Sequence, residues 1–141
     1  MTGALLDTHT LYWLVTGAVA LSDDALVQIG ECQAAGRLYV SPISAWELAL
    51  AVRKPLNAPA LGDDDVARWF RSAARATASK ISPIGQSVAV EAARVVSTTG
   101  HKDPGDCFLI ATARLRKLSI ISRDRAMLEL AEPGYLDLIE C

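Results

Sequence analysis

The sequence predicts one α/β domain with α/β/α layers, in which helices cover both faces of a mainly parallel sheet of four to five short strands. Short apolar segments alternate with longer segments of helical periodicity along the chain. The 141 residues, 51% of them apolar, are enough for one buried core, and no linker or internal repeat divides them. Right-handed crossovers between parallel strands place helices on both faces, while the strand order stays open. We expect residues 1–141 to form a single domain.

The first half of the chain predicts two strands and four helices. The apolar segments 3–6 and 38–40 have the length of buried strands, and Ser22 before two acidic residues is typical of a helix N-cap. A Pro/Gly/Asp-rich segment at 55–65 predicts a surface loop that leads into the fourth helix. The predicted helices span residues 10–19, 22–35, 43–52 and 63–78.

The second half predicts three strands and three helices. Residues 80–84 and 118–122 have the short apolar pattern of strands. Residues 135–139 alternate apolar with polar side chains, which is typical of an edge strand. The predicted helices span residues 86–97, 104–117 and 125–131.

Charge and cysteine content exclude several classes of protein. Fourteen Lys and Arg against sixteen Asp and Glu give a net charge of −2, which excludes a wholly basic nucleic-acid coat but not a locally basic rim. The three cysteines are widely spaced and form no CxxC pair, which disfavours a disulfide framework or a thiolate zinc site. The N-terminus has no basic signal region, and the apolar stretch 11–21 is too short to span a bilayer. We expect a reduced, cytoplasmic protein without membrane contact.

Acidic residues follow the predicted strands or open the predicted helices. Asp7 follows the first strand, Glu47 lies one turn beyond the end of the second, and Asp124 follows the strand at 118–122. Asp103 and Asp106 open a helix after a glycine-containing loop. Because the carboxyl ends of parallel strands share one edge of a sheet, we expect acids from four distant segments to meet in one cleft.

Helix capping is the competing explanation for most of these acids. Asp103 before Pro104 matches an N-cap followed by proline at the first helical position, and Ser44 with Glu47 matches a capping box. Asp7 and Asp124 could cap the helices that follow them. Capping is the better explanation for Asp103 taken singly, and both explanations stay open for Glu47 and Asp124. It explains Asp7 and Asp106 less well, because an unpaired carboxylate at an interior strand end costs several kcal/mol.

A cluster of carboxylates favours hard divalent cations. Mg²⁺ and Mn²⁺ take oxygen ligands and are held by one or two carboxylates plus substrate phosphate, whereas zinc sites use His or Cys, which this sequence supplies poorly. Such an ion lowers the pKa of a bound water and offsets charge on an attacked phosphate. Two ions roughly 3.5–4 Å apart would clamp the attacking and leaving oxygens, and the number of ions stays open.

Four motifs in order along almost the whole chain carry a family resemblance. They are LLDTHT with LYW at 5–13, SPISAWEL at 41–48, HKDPGD with LIATA at 101–113, and ISRD at 121–124. Together they resemble the PIN domain, and most closely the VapC toxins of bacterial type II toxin–antitoxin modules. The resemblance implies an Mg²⁺- or Mn²⁺-dependent endoribonuclease that cleaves structured RNA of the tRNA or rRNA class and inhibits translation. It also implies a VapB-type antitoxin whose C-terminal segment blocks the acidic cleft.

The same resemblance implies roles for individual residues. Asp7, Glu47 and Asp106 match the core metal-binding acids, Asp124 matches the fourth acid, and Asp103 matches an acid near the cleft whose role is open. The supporting hydroxyl residues beside the site are Thr8, Ser44 and Ser122.

This sequence departs from the family pattern in the third motif. The family often has a bulky residue and an arginine around the second aspartate, where this chain has Gly105 and Cys107. Ser122 stands where threonine is commoner, which keeps the hydroxyl. Since neither change removes a core acid, we expect an active enzyme.

Cationic and aromatic residues have two interpretations. Lys102, Arg123 and Arg125 lie beside the acids and could contact RNA phosphates or only balance charge. The three tryptophans, Trp13, Trp46 and Trp69, could stack on bases, although core or interface packing is favoured at their helical spacing. The apolar stretch 11–21 could form a homodimer seam or an antitoxin groove, or be buried in the core.

Two other functions compete with nuclease activity. One is a catalytically inactive PIN-like module that only binds a regulatory partner, against which the complete set of acids argues. The other is a phosphatase of the haloacid-dehalogenase type, which needs a second acid two positions after the first, where this chain has His9. Nucleotide-binding modules are disfavoured because neither GxxxxGK[ST] nor GxGxxG occurs.

Overall fold

Five parallel strands form one sheet in the computed structural model, which describes residues 3–141. The strands are β1 (Ala4–Leu6), β2 (Leu38–Val40), β3 (Lys80–Ile81), β4 (Ser119–Ser122) and β5 (Leu138–Glu140). Their order is β3-β2-β1-β4-β5, and every neighbouring pair is parallel. All the carboxyl ends therefore lie at one edge of the sheet, as the sequence predicts, with β1 at the centre.

Seven helices, counted over residues 3–141, connect and cover these strands. They are α1 (Thr8–Thr16), α2 (Asp23–Ala35), α3 (Pro42–Ala51), α4 (Val66–Ala76), α5 (Gln86–Thr99), α6 (Pro104–Arg116) and α7 (Arg125–Ala131). In this part of the chain, none of them has the length and apolar character needed to cross a bilayer.

Two apolar cores lie on opposite faces of the sheet. Leu6 and Ile121 face a core that contains Leu11 of α1 and Ile29 of α2. The adjacent residues on the same strands point to the other face, where Leu5 and Ile120 pack with Leu109 and Ile110 of α6. This alternation follows from the two-residue period of a strand, and it produces the predicted α/β/α layers.

Helix boundaries differ from the predicted ones where a cap residue outweighs the apolar pattern. The first helix begins at Thr8, not at residue 10, because Asp7 caps it, and it ends at Thr16 because Gly17 adopts φ 72°. The fourth begins at Val66, three residues late, because Asp65 and not an earlier acid is its cap. The edge strands are also shifted or shorter, with β3 limited to two residues.

Residues 11–21 do not form one exposed apolar face. Leu11 is fully buried against the sheet, and the helix stops five residues before the end of the stretch. Val15 is 36% exposed. Core burial therefore accounts for the first part of this stretch.

Candidate metal centre

Asp7 lies at the junction between β1 and α1, with both carboxylate oxygens engaged. Oδ1 accepts a hydrogen bond from the Thr10 N–H at 2.8 Å, and Oδ2 accepts one from the Ser122 hydroxyl at 2.5 Å. The residue is 6% exposed. The expectation that capping explains Asp7 less well is wrong, because β1 leads directly into α1 and Asp7 is the N-cap.

Glu47 projects from α3 and is held by a chain of hydroxyls. Thr8 donates its hydroxyl proton to Glu47 Oε1 at 2.5 Å. Because that proton is used, the Ser44 hydroxyl at 2.9 Å donates to Thr8 Oγ1. Both hydroxyl residues are buried, so this chain fixes the direction of the Glu47 carboxylate from within the protein.

The capping box from Ser44 to Glu47, one of the two explanations left open for Glu47, does not form. The N-cap of α3 is Ser41, whose hydroxyl accepts the Ile43 N–H at 3.1 Å. Pro42 occupies the first helical position, which starts the helix before Ser44. Glu47 is therefore in the helix interior, and its contact with Thr8 crosses to another element.

The start of α6 supplies two further carboxylates. Asp103 is the predicted N-cap, and its Oδ1 accepts the Asp106 N–H at 3.0 Å. Asp106 lies in the first turn, and its Oδ2 is 2.8 Å from Nε2 of His101. Since a carboxylate only accepts, the imidazole is the donor. Sequence reasoning missed His101 as a site residue, although its place five residues before Asp106 in the third motif was a signal.

Carboxylate oxygens of Glu47, Asp103 and Asp106 lie within 4.8 Å of one another. Asp103, treated as peripheral in the sequence prediction, is a member of this acid cluster. Asp7 and Asp124 lie outside the cluster as defined by that distance but are electrostatically coupled to it. The charge of Asp7 acts on Glu47, and that of Asp124 acts on Asp106.

Burial and mutual repulsion destabilise the charged forms of the cluster. Burial is the main cause that raises the pKa of Glu47; the Thr8 hydrogen bond opposes it, and the charges of Asp106, Asp103 and Asp7 add to it. Burial likewise raises the pKa of Asp106 to about 6, against the hydrogen bond from His101. A bound cation would reverse both effects, because it favours the ionised carboxylates.

Gly105 allows Glu47 of α3 to approach the two acids at the start of α6. A Cβ at this position would lie 2.5 Å from Cδ of Glu47, so any side chain would push the Glu47 carboxylate away. The glycine that departs from the family pattern is therefore the residue over which the end of Glu47 packs. Cys107, the other departure from the family pattern, lies two residues after Gly105. It is a buried thiol that donates a hydrogen bond to the His101 carbonyl, and burial raises its pKa.

Asp124 and the basic residues lie at the rim. Asp124 is exposed and is the predicted N-cap of α7, since its Oδ1 accepts the Met127 N–H at 3.0 Å. Arg123 donates to the carbonyls of Ala20 and Cys141, a structural role that neither of the two interpretations of this arginine included. Lys102 and Arg125 are exposed and form no ion pair with residues in the described range 3–141.

The donor set fits a hard divalent cation. Each group of the acid cluster offers a carboxylate oxygen, the type of ligand that Mg²⁺ and Mn²⁺ prefer. The His101 nitrogen nearest the cluster is occupied by Asp106. These features favour Mg²⁺ or Mn²⁺ over zinc.

The pH dependence of stability tests this electrostatic arrangement. Asp106→Asn is expected to raise the free energy of unfolding of the metal-free protein, and the gain should grow as the pH rises from about 4 to about 7. The pKa of Asp106 is raised from 3.8 to about 6, so between these values the folded chain holds a proton that the unfolded chain has released. The stability that this proton gives the folded chain is fully present below pH 3.8 and is lost as the pH rises through about 6. Urea denaturation in EDTA measures it; a gain that is independent of pH would contradict the expectation.

Comparison with known proteins gives one family and several similar folds. The family model described as "PIN domain" matches residues 4–133. A comparison with curated proteins finds no match.

Several solved structures, one of them of a toxin–antitoxin system of the VapBC family, are similar to this chain over almost its full length. VapBC2 from Rickettsia felis, bound to a DNA fragment from its promoter, is 10% identical with a TM-score of 0.68 and covers 98% of both chains. VapBC-5 from Mycobacterium tuberculosis is 20% identical with a TM-score of 0.61 and covers 100% of both. FitAcB from Neisseria gonorrhoeae is 22% identical with a TM-score of 0.61 and covers 96% of both. At these identities the likeness shows the fold.

Proposed function

The chain belongs to the PIN-domain family, whose model covers residues 4–133, and from this premise we propose that it is a metal-dependent endoribonuclease, the toxin of a VapBC-type module. The observation that carries the proposal is the convergence of Glu47, Asp103 and Asp106, whose carboxylate oxygens lie within 4.8 Å. Together with Asp7 and Asp124 at the same edge of the sheet, they form a site of the kind that holds Mg²⁺ or Mn²⁺.

We assign the ion to Glu47 and Asp106 with Asp103 beside them, and Asp7 and Asp124 to the borders of the site. A bound Mg²⁺ or Mn²⁺ would supply a nucleophilic water and offset charge on the phosphate. Around that position, Thr8 holds Glu47 and His101 holds Asp106 through single hydrogen bonds.

Within residues 3–141, the other carboxylate oxygens of Glu47 and Asp106 accept no hydrogen bond and are available as ligands. Asp7 keeps a lone pair on each oxygen, because Ser122 and Thr10 each take one. Asp124 likewise uses one oxygen for its cap.

The proposed partners follow from the family and the solved neighbours. The neighbour from Mycobacterium tuberculosis is named as a member of the VapBC family of toxin–antitoxin systems, and that from Rickettsia felis is named VapBC2. We propose that this chain binds a VapB-type antitoxin that covers the acid cluster, and that it forms a homodimer. We propose RNA of the tRNA or rRNA class as the substrate, with cleavage in the cytoplasm and loss of translation as the result.

Incubation with total RNA tests the proposed function. The purified chain is expected to cleave a small set of RNA sites in Mg²⁺ or Mn²⁺ and none in EDTA, and sequencing of the new 5′ ends identifies the RNA. Asp7→Asn, which keeps the size of the side chain but removes its charge, is expected to lose cleavage. Equal cleavage by this variant at the same metal concentration would contradict the assignment of the site, and no cleavage by the wild type in either metal would favour the inactive binding module.

A further inference from the structure

Two hollows border the acid cluster and meet at Glu47. The larger, the α1 hollow, has a volume of ≈ 650 Å³ and lies between His9, Tyr12 and Trp13 of α1 and Glu47 of α3. The smaller, the α3 hollow, has a volume of ≈ 250 Å³ and is lined by Trp46, Asp103 and Pro104. Glu47, Ala51 and Lys54 line both.

The α1 hollow has a wall that is held in place. The Tyr12 hydroxyl donates to the Ala60 carbonyl at 2.8 Å and accepts the Ala60 N–H at 2.9 Å. These bonds pin the segment after α3 across α1, so that Asn57 and Pro59 close one side of the hollow. Its volume falls within the range of about 300–1,000 Å³ that is usual for small-ligand pockets.

Aromatic rings are presented in both hollows. In the α1 hollow, the rings of His9 and Trp13 stack with centroids 5.5 Å apart, and the Arg123 guanidinium lies 4.6 Å from the Trp13 centroid. In the α3 hollow, Trp46 is 46% exposed. Trp69, by contrast, is buried in the core, as the packing interpretation predicts. Trp13 is half-buried beneath His9 and Arg123, whereas the ring of His9 is exposed in the α1 hollow. The exposed rings of His9 and Trp46 suit stacking by unpaired nucleobases.

The shared wall carries a cation in acidic surroundings. Lys54 is the one lysine or arginine among the described residues that line either hollow. It is exposed and forms no ion pair with any residue in the range 3–141. Glu47 and Asp103, which line the α3 hollow with it, repel phosphate, and this ammonium is the group that would attract it.

We propose that the two hollows bind the unpaired nucleotides on either side of the cleaved phosphodiester of a single-stranded RNA segment. One base stacks on the exposed ring of His9, which the Trp13 ring supports from behind, the other stacks on Trp46, and Lys54 binds the phosphate between them. This inference deepens the proposed function and rests on it for the position of the cleaved bond. It predicts that cleavage of a structured RNA is confined to its unpaired segments, because paired bases cannot enter the hollows.

Binding of a short single-stranded RNA in EDTA tests the inference without cleavage. The probe contains the fluorescent base 2-aminopurine, and its affinity is measured by anisotropy. Trp13→Leu, Trp46→Leu and Lys54→Glu are each expected to weaken binding by about tenfold. Trp13→Phe keeps an aromatic ring and should bind within about threefold of the wild type. Quenching of 2-aminopurine by stacking should be lost in the leucine variants and retained with phenylalanine.

A matched control separates local binding from net charge. Lys80→Glu makes the same charge change on β3. The Lys80 ammonium lies near Gly36, which precedes β2 and so marks the amino ends of the strands, whereas the hollows lie at the carboxyl ends. This variant should bind nearly as the wild type does. Thermal melting checks that each variant is folded, and Trp46→Leu is independent of any damage to α1.

The outcomes distinguish the inference from the proposed function. Cleavage by the wild type in Mn²⁺, with unchanged probe binding in the three variants, would overturn the inference and leave the function standing. Absence of cleavage with binding that depends on Trp13 and Lys54 would support the hollows as RNA subsites and overturn the function. Failure of the wild type to bind the single strand, or equal binding of a duplex of the same sequence, would overturn the inference.

Discussion

Asp106→Ala is expected to abolish RNA cleavage, lowering the rate by about a thousandfold or more, while leaving the fold intact. Stabilisation of the phosphate by a bound ion is worth several kcal/mol, and each ~1.4 kcal/mol is a factor of ten in rate. Asp106 is one of the three carboxylates whose oxygens lie within 4.8 Å. Its loss therefore removes a ligand from the centre of the site. A steady-state cleavage assay at equal Mn²⁺ measures the effect.

The fold should survive this change because Asp106 makes few structural contacts. Its side chain has one hydrogen-bond partner, His101, among the described residues. Its charge is repelled by Asp103 and Asp124, so its removal relieves repulsion in the metal-free protein.

Asp24→Ala is the control for Asp106→Ala, since Asp24 is an exposed acid in the first turn of α2 and is not a member of the acid cluster. Its cleavage rate should equal that of the wild type. Unchanged cleavage in both Asp106→Ala and Asp7→Ala would refute the assignment of the site.

Gly105→Ala is expected to weaken Mn²⁺ binding by at least about tenfold and to slow cleavage accordingly. The added Cβ would lie 2.5 Å from Cδ of Glu47 and would displace its carboxylate from the cluster. The fold should not suffer, because Gly105 lies in the first turn of α6 without a positive φ, and alanine favours a helix by up to about 1 kcal/mol. Calorimetric titration with Mn²⁺ measures affinity, and thermal melting in EDTA measures stability.

Gly30→Ala provides the matched substitution for Gly105→Ala. Gly30 lies within α2, and a Cβ there meets nothing within 4 Å. It should show a similar change in helix stability and no change in Mn²⁺ affinity. Wild-type affinity in Gly105→Ala would mean that the position of Glu47 does not matter for the metal.

Fold elements were predicted well where a cap residue and the apolar pattern agree. The strand Leu38–Val40 and the helix Arg125–Ala131 match at both ends, since Ser41 with Pro42 and Asp124 mark the boundaries. The start of the first helix was missed because Thr8 and His9 have weak helix propensity, while their position after the Asp7 cap makes them helical.

The site was predicted as a set of acids but not as a geometry. Spacing after the strands identified the segments that carry Glu47 and Asp106, and capping and clustering were weighed as alternatives. In the structure they coexist, because Asp103 caps α6 through one oxygen and still belongs to the acid cluster. The hydroxyl chain from Ser44 through Thr8 to Glu47 was not predicted as such, because it spans 36 and 39 residues of sequence.

Residue types, their periods and their turn chemistry determined the α/β class, some of the helix caps and the presence of acids at strand ends. Those features are local, so the sequence alone was enough for them. Only the tertiary structure decided that Asp103, and not Asp7, shares the 4.8 Å cluster with Glu47 and Asp106. That outcome depends on the order β3-β2-β1-β4-β5 and on the space above Gly105. Both are distances between remote segments, which are set by how whole elements pack and not by any local pattern.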